Sequence, residues 1–232
     1  MTKRLFATLE VYYDQAVHTA ALNMALDEAL LECATVPMIR FYRWQSPALS
    51  FGYFGRFADV AGYESERALV RRWTGGGIVF HGKDLTYSIV IPASDAAFCE
   101  SSTSIYEKIH RALVDALAET GERAVVAGVG DPGSCNAAVA ITKTGNCFAN
   151  PVGADVMIDS RKVAGAAQRR TRRGVLQQGS IQGIELGDSL NEQFAQALSA
   201  NCCERSVDEE ILNLARKLAE QKYGTTEWLR KR

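Results

Sequence analysis

The chain has no CxxC pair and no cysteine and histidine cluster at zinc-ligand spacing, which argues against a structural metal site. Neither charge is in excess: 26 Lys plus Arg stand against 27 Asp plus Glu, a formal net charge of -1. A general nucleic-acid binder needs a clear cationic surplus, so no nucleic acid is expected as a partner. No run approaches the roughly 18 apolar residues of a membrane span, and the opening MTKRLFATLE holds two basic side chains but no apolar stretch. No membrane partner and no secretory leader are expected, which places the six cysteines in a reducing cytoplasm. Cys33, Cys99, Cys135, Cys147, Cys202 and Cys203 are scattered, and the default for each is a small buried hydrophobe. Repeats, low-complexity tracts and an evident interdomain linker are missing as well. With 47% apolar and 23% charged residues over 232 positions, what remains is one large domain over residues 1–232 with a single main core.

Helical periodicity is clear at residues 19 to 34, where Ala21, Met24, Ala25, Ala29 and Leu30 share a face and Asn23, Asp27 and Glu28 fall on the polar side. Residues 102 to 120 repeat the pattern with Ile105, Ile109, Leu113 and Leu117, and Gly121 sits where a C-terminal cap belongs. The aromatic stretch PMIRFYRWQSPALSFGYFG reads as two short strands joined by a turn, and Leu69 to Arg72 as a third. Ile78 to Phe80 and Leu85 to Pro92 look like the two arms of a hairpin. Ala154 to Ile158, Lys162 to Gln168 and Val175 to Ile184 read as an antiparallel meander. Residues 124 to 146 look irregular, and 188 to 200 and 206 to 222 supply two more helices, the latter with a Ser206 and Glu209 capping box. Strands in the middle and helices at both ends favour an α+β fold, with flanking helices on a central mixed, mostly antiparallel sheet.

Two segments carry chemistry. In 71 to 92, RRWTGGGIVFHGKDLTYSIVIP, three glycines free the backbone for close approach of an anionic or carbonyl-bearing ligand, with Arg71 and Arg72 just before and His81 four residues after. A plain Gly-rich hairpin accounts for the glycines equally well. The segment is neither a GxGxxG dinucleotide turn nor a Walker loop. In 145 to 182, Cys147 lies in a turn-forming setting, so its burial is less assured than that of Cys33 or Cys99. Lys162 precedes a run of small residues that could draw its ammonium into a narrow slot, where it would lower the pKa of a nearby thiol. The alternative for Lys162 is a solvated turn residue beside Arg161. The basic run RRTRR at 169 to 173 reads first as a solvated turn.

These segments, together with NMALDEALL in the first helix, CFANP, ADVMIDSRKVAGAAQRR and VLQQGSI, resemble the lipoate-protein ligase and octanoyltransferase family, which shares a catalytic fold with biotin-protein ligases. The resemblance runs nearly end to end. It implies a tunnel for a medium-chain acyl group, with Arg71, Arg72, Thr74, Gly75, Gly76, Gly77, His81, Gly165, Ala167 and Gln168 binding the acyl substrate. Lys162 falls on the family's site lysine, which holds the acyl carbonyl oxygen, and His81 shapes the pocket. The implied acceptor is a lysine on a lipoyl domain or a glycine-cleavage carrier protein, whose acidity the 169 to 173 run would complement.

The family contains two chemistries. Cys147, about fifteen residues before Lys162, resembles the thiol of the cysteine-dependent octanoyltransferases. That implies an octanoyl group taken from acyl carrier protein through a Cys147 and Lys162 pair, with no cofactor. Gly77 makes a TGGG more often seen in the ATP-dependent and Mg-dependent lipoate ligases, which form an acyl-adenylate. A non-catalytic lipoyl-binding or carrier-binding protein is the third reading. The chain leaves no room for the accessory domain of many ligases, so a single catalytic domain is expected. Ser160 stands where family members often carry glycine.

Overall fold

The computed structural model of the protein describes residues 4–128, 153–185, 187 and 189–231. In chain order its first elements are β1 (Leu9–Tyr13), α1 (Ala20–Cys33), β2 (Met38–Tyr42), β3 (Ala48–Phe51), β4 (Ala68–Arg71), β5 (Val79–His81), β6 (Leu85–Pro92) and α2 (Ser102–Glu119). There follow β7 (Ala124–Val126), β8 (Val156–Ile158), β9 (Arg161–Arg170), β10 (Gly174–Ile181), α3 (Leu190–Leu198), β11 (Cys202–Arg205), α4 (Glu209–Leu218) and α5 (Thr226–Leu229). Eight strands form the main sheet in the order β11-β1-β2-β6-β10-β9-β8-β7, and β4-β3-β5 form a small second sheet. The main sheet is parallel only where β1 meets β11 and β2; its other pairings are antiparallel. This is the expected α+β fold.

The central strands are covered on both faces, so β2, β6 and β10 are buried along their whole lengths. Alternation still sorts their side chains. Ile39, Phe41, Tyr87 and Ile89 pack under α2 and α3. Met38, Tyr42, Val90 and Leu176 pack under α1 and α4. The α1 side of β6 also presents Thr86 and Ser88, whose hydroxyls bond buried carboxylates. Polarity in this strand therefore marks a buried network and not a wet face.

Several expectations from the sequence change here. The hairpin of 78–80 with 85–92 does not form: β5 pairs with β3 in the small sheet, and β6 pairs with β2 and β10 in the large one. Gly82 to Asp84 carry the chain from one sheet to the other, and turn chemistry cannot say which strand will be the partner. The polar side of α1 is buried, because the sheet covers one flank of the helix and α4 with the turn Ala219–Tyr223 covers the other. Asn23, Asp27 and Glu28 are each less than a tenth exposed. The α4 cap is Asp208, which accepts from the Ile211 N–H at 2.8 Å, and not Ser206. Strands β1, β7 and β11 are additions to the sequence reading. Cys33 and Cys99 are exposed at element ends, and Cys202 and Cys203 are half-buried, so no described cysteine is a core filler. Cys135 and Cys147 lie outside the described residues. Among the described residues no helix is long and apolar enough to cross a membrane.

Candidate active site

The β8–β9 hairpin turns through Asp159 and Ser160, both in the left-handed region at φ 49° and 62°, as a two-residue hairpin loop requires. A register shift between Val156 and Met157 reorients the strand next to Asp155. Lys162 Nζ lies 2.8 Å from Asp155 Oδ2, with side chains 3% and 0% exposed. The Tyr106 hydroxyl donates to Asp155 Oδ1 at 2.7 Å and accepts from the Ala166 N–H at 3.0 Å. Burial, reinforced by the Asp155 charge, pushes the Tyr106 phenol well above its ordinary range, so it stays a donor. Gly165 makes the lysine's path possible. A Cβ there would sit 2.5 Å from Lys162 Cε and 2.7 Å from Nζ. The ammonium is thus buried in a slot of small residues, and the solvated-turn alternative for Lys162 is set aside.

The glycine loop forms the facing wall. It rests directly on the backbone of Gly52, where a Cβ would come within 2.1 Å of the Gly76 carbonyl oxygen. Gly76 itself has φ 82°, open to glycine at no steric cost. Arg72 donates to Ser50 Oγ at 2.6 Å and to the Gly75 and Gly77 carbonyls at 3.0 and 2.8 Å, drawing the loop inward. Thr74 donates to Gln178 Oε1 at 2.8 Å, and Gln178 in turn donates to Asp27 at 2.6 Å. Asp27 also accepts from Arg40 at 2.9 Å, Tyr42 at 3.0 Å and Ser88 at 2.7 Å. One carboxylate on α1 thereby links the NMALDEALL, IRFYRW, TGGG, TYS and LQQGS segments.

His81 stacks on Trp44 at 4.0 Å and sits between Ser50 Oγ and Asp84 Oδ2, each 2.7 Å from a ring nitrogen. Burial holds its pKa below the ordinary value despite Asp84, so the ring is neutral at pH 7. Because Arg72 donates to Ser50, the serine proton goes to Nε2, and Nδ1–H faces Asp84. The order is that of a serine triad. However, Arg72 occupies the lone pair an attacking serine would use, and the arrangement instead fixes the cavity wall.

Between these walls lies a narrow cavity of about 30 Å³. Of the residues assigned from sequence, Arg72, Gly76, His81, Lys162, Gly165 and Ala167 line it together. Thr74, Gly75 and Gly77 stand behind the wall. Gln168 points to the opposite face of β9, where its amide donates to Gln177 at 2.7 Å. Arg71 turns away from the cavity: it donates to the carbonyls of Tyr53, Gly55, Trp228, Leu229 and Lys231, tying down the segment that follows α5. Asp155, Tyr106, Ser50, Gln178 and Asp27 were missed from sequence. The available signal was an unexplained acid or polar residue inside each motif. A wider groove of about 780 Å³ lies at the ends of β1 and β2 beside α3, with Asp14, Arg43, Glu192 and Glu204 among its lining residues.

Residues 19–222 match the family described as the lipoyl protein ligase A/B catalytic domain, and the chain belongs to that family. It is 36% identical over 179 residues to the octanoyltransferase LipM of Bacillus cereus, covering 73% of this chain and 64% of that protein. Against LipM of Staphylococcus epidermidis it is 32% identical over 200 residues, covering 80% and 72%. The chain thus spans just under two thirds of the length of the first of these relatives. In structure it is similar to a lipoate-protein ligase A bound with ATP, with a TM-score of 0.76 at 22% identity, covering 96% of this chain and 98% of that one. It is also similar to the bipartite lipoate protein ligase of Thermoplasma acidophilum, solved in a study of that ligase and its E2 lipoyl domain. There the TM-score is 0.68 at 20% identity, covering 97% and 96%. At these identities the likeness speaks for the fold.

Proposed function

We propose that the chain is an octanoyltransferase that moves an acyl group from acyl carrier protein to a lysine of a lipoyl domain or glycine-cleavage carrier protein, in the cytoplasm and without a cofactor. The observation that carries this reading is the buried Lys162 ammonium in a small-residue cavity, in a chain 32–36% identical to octanoyltransferases. The Cys147 thiolate attacks the thioester carbonyl, the donor leaves as its own thiolate, and an acyl-Cys147 thioester forms. The acceptor amine then attacks that carbonyl, an amide forms, and the amine's proton returns to the Cys147 sulfur. Lys162, held by Asp155 and Tyr106, donates to the carbonyl oxygen and stabilises the charge it gains in each tetrahedral intermediate. Arg72, Thr74, Gly75, Gly76, Gly77, His81, Gly165 and Ala167 shape the acyl slot, whereas Arg71 and Gln168 contribute from outside it.

Intact-mass measurement after incubation with octanoyl carrier protein should show one acyl adduct on the wild type and none on Cys147→Ala. An adduct that survives in Cys147→Ala sinks the thioester step. Lys162→Ala should lower transfer by about a hundredfold to a thousandfold, the usual loss for one oxyanion donor. The ligase reading is favoured by Gly77 alone. Octanoate-dependent pyrophosphate release from ATP, retained in Cys147→Ala, would establish it in place of transfer.

A further inference from the structure

Three cations crowd together around a shared set of aromatic rings. The Arg169 guanidinium lies 5.1 Å from the Trp73 ring centroid and 5.2 Å from that of Tyr53. Lys222 Nζ lies 4.4 Å from Trp73 and 4.5 Å from Trp228. Lys231 Nζ lies 4.8 Å from Tyr53 and 5.1 Å from Trp228. One carboxylate serves the group: Glu28 Oε2 is 2.5 Å from Lys222 Nζ. Among the described residues no carboxylate pairs with Arg169 or Lys231, and the buried Arg169 Nε has no hydrogen-bond acceptor. Burial holds the Lys222 ammonium below its ordinary range despite Glu28, and Arg169 and Lys231 push it the same way.

Three cations sharing one carboxylate repel one another, and an incoming anion would remove that cost. The rest of the 169 to 173 run plays no part in the cluster. Arg170 caps the Phe98 and Glu100 carbonyls, and Arg173 pairs with Glu32 at 2.8 Å.

Position narrows the anion. Gly165 and Ala167 line the cavity, and Arg169 follows on the same face of β9. Lys162 Nζ lies 2.7 Å from where a Cβ of residue 165 would be. Four residues of strand from there to Arg169 span about 13 Å. That is too far for a phosphate bonded to the acyl carbon. It matches a phosphate at the far end of an extended arm, since a pantetheine chain of about a dozen bonds spans about 15 Å.

We propose that Arg169, Lys222 and Lys231, set among Tyr53, Trp73 and Trp228, bind the phosphate of a phosphopantetheine arm whose acyl thioester reaches into the cavity. This rests on the transferase reading for the donor's identity. Its test does not depend on turnover.

The full chain is titrated with 4′-phosphopantetheine, pantetheine and ATP, following tryptophan fluorescence. The wild type should bind 4′-phosphopantetheine at least about tenfold more tightly than pantetheine, the scale of a charge-assisted contact. Arg169→Ala with Lys231→Ala should erase that preference, and Arg169→Lys should keep part of it. Should the double variant not fold, the exposed Lys231→Ala alone should narrow the preference about threefold. Equal binding of the two arms by the wild type overturns the proposal, as does a preference that persists in the variants. Tighter binding of ATP than of 4′-phosphopantetheine, lost in the same variants, overturns it in favour of a nucleotide phosphate site. Failure of the transferase reading shows separately, as a wild type that takes up no acyl group in the intact-mass assay.

Discussion

Two of the buried ion pairs among the described residues are built differently. Arg40 and Asp27, both 0% exposed, lie between the sheet and α1. Arg40 is spent entirely on protein acceptors: Asp14 at 2.7 and 2.9 Å, Asn23 Oδ1 at 2.7 Å, the Asn23 carbonyl at 3.3 Å and Asp27 at 2.9 Å. Lys162 and Asp155 are equally dry, yet Lys162 lines the cavity beside a glycine, and its carboxylate is held from behind by one tyrosine. The first pair joins distant segments and has nothing left to offer. The second lies in the wall of the cavity. Burial alone therefore does not distinguish the two charges; the neighbouring cavity does.

Asp27→Ala should break the first pair most severely. It strands Arg40, Tyr42, Ser88 and Gln178 without a shared acceptor, and removing one partner of a buried pair typically costs about 3–5 kcal/mol. Denaturant unfolding should show that loss, and an unchanged midpoint would mean the network is not cooperative.

The second pair is supported by His110, which donates Nδ1–H to the Ala154 carbonyl at 2.5 Å and accepts from Tyr87 at 3.0 Å. Burial lowers its pKa to about 4. The unfolded chain, with an ordinary pKa near 6.5, then binds the extra proton between those values. The stability His110 contributes is complete above about pH 6.5 and is lost as the pH falls towards 4. Unfolding at pH 7 and 4.5 should differ by about 2 kcal/mol more in the wild type than in His110→Gln. His81, shifted the same way, leaves a residual slope in the variant.

Gly165→Ala should separate presentation from stability. The atoms nearest the added methyl are the far end of the Lys162 side chain and Asp155 Oδ1, so the fold can accommodate it by moving the ammonium. Acyl transfer should fall about tenfold to a hundredfold, with unfolding nearly unchanged. Equal loss of both would make Gly165 a packing residue.

Ser160→Gly should have the smallest effect, a gain of about 0.5 kcal/mol, because serine at φ 62° carries a left-handed cost that glycine avoids. A loss would mean that the serine hydroxyl supports the turn.

Much of the cavity was legible because its residues lie in short motifs whose local form is simple. Lys162, Gly165 and Ala167 come from one strand, and Arg72 and Gly76 from one loop. The β8 to β10 meander and α2 followed from periodicity and turn residues. Asp27 and Glu28 were misassigned to solvent because helical periodicity sees one face of α1, whereas α4 and the following turn cover the other from some 190 residues away, as Lys222 reaching Glu28 shows. Arg71 and Arg72 are adjacent, and the sequence offered no means of telling which would face the cavity. In a strand, neighbours point to opposite faces, and only the docked C-terminal segment selects between them.

The amino-acid sequence by itself determined what the backbone can decide locally. Gly121 ends α2 at φ 89°, and the 159–160 turn closes its hairpin. Tertiary structure alone decided which polar groups meet. Asp27 accepts hydrogen bonds from Ser88 and Gln178, 61 and 151 residues away, and Asp155 accepts one from Tyr106, 49 residues before it. A buried carboxylate must find its donors wherever the fold brings them, and sequence spacing carries no record of that distance.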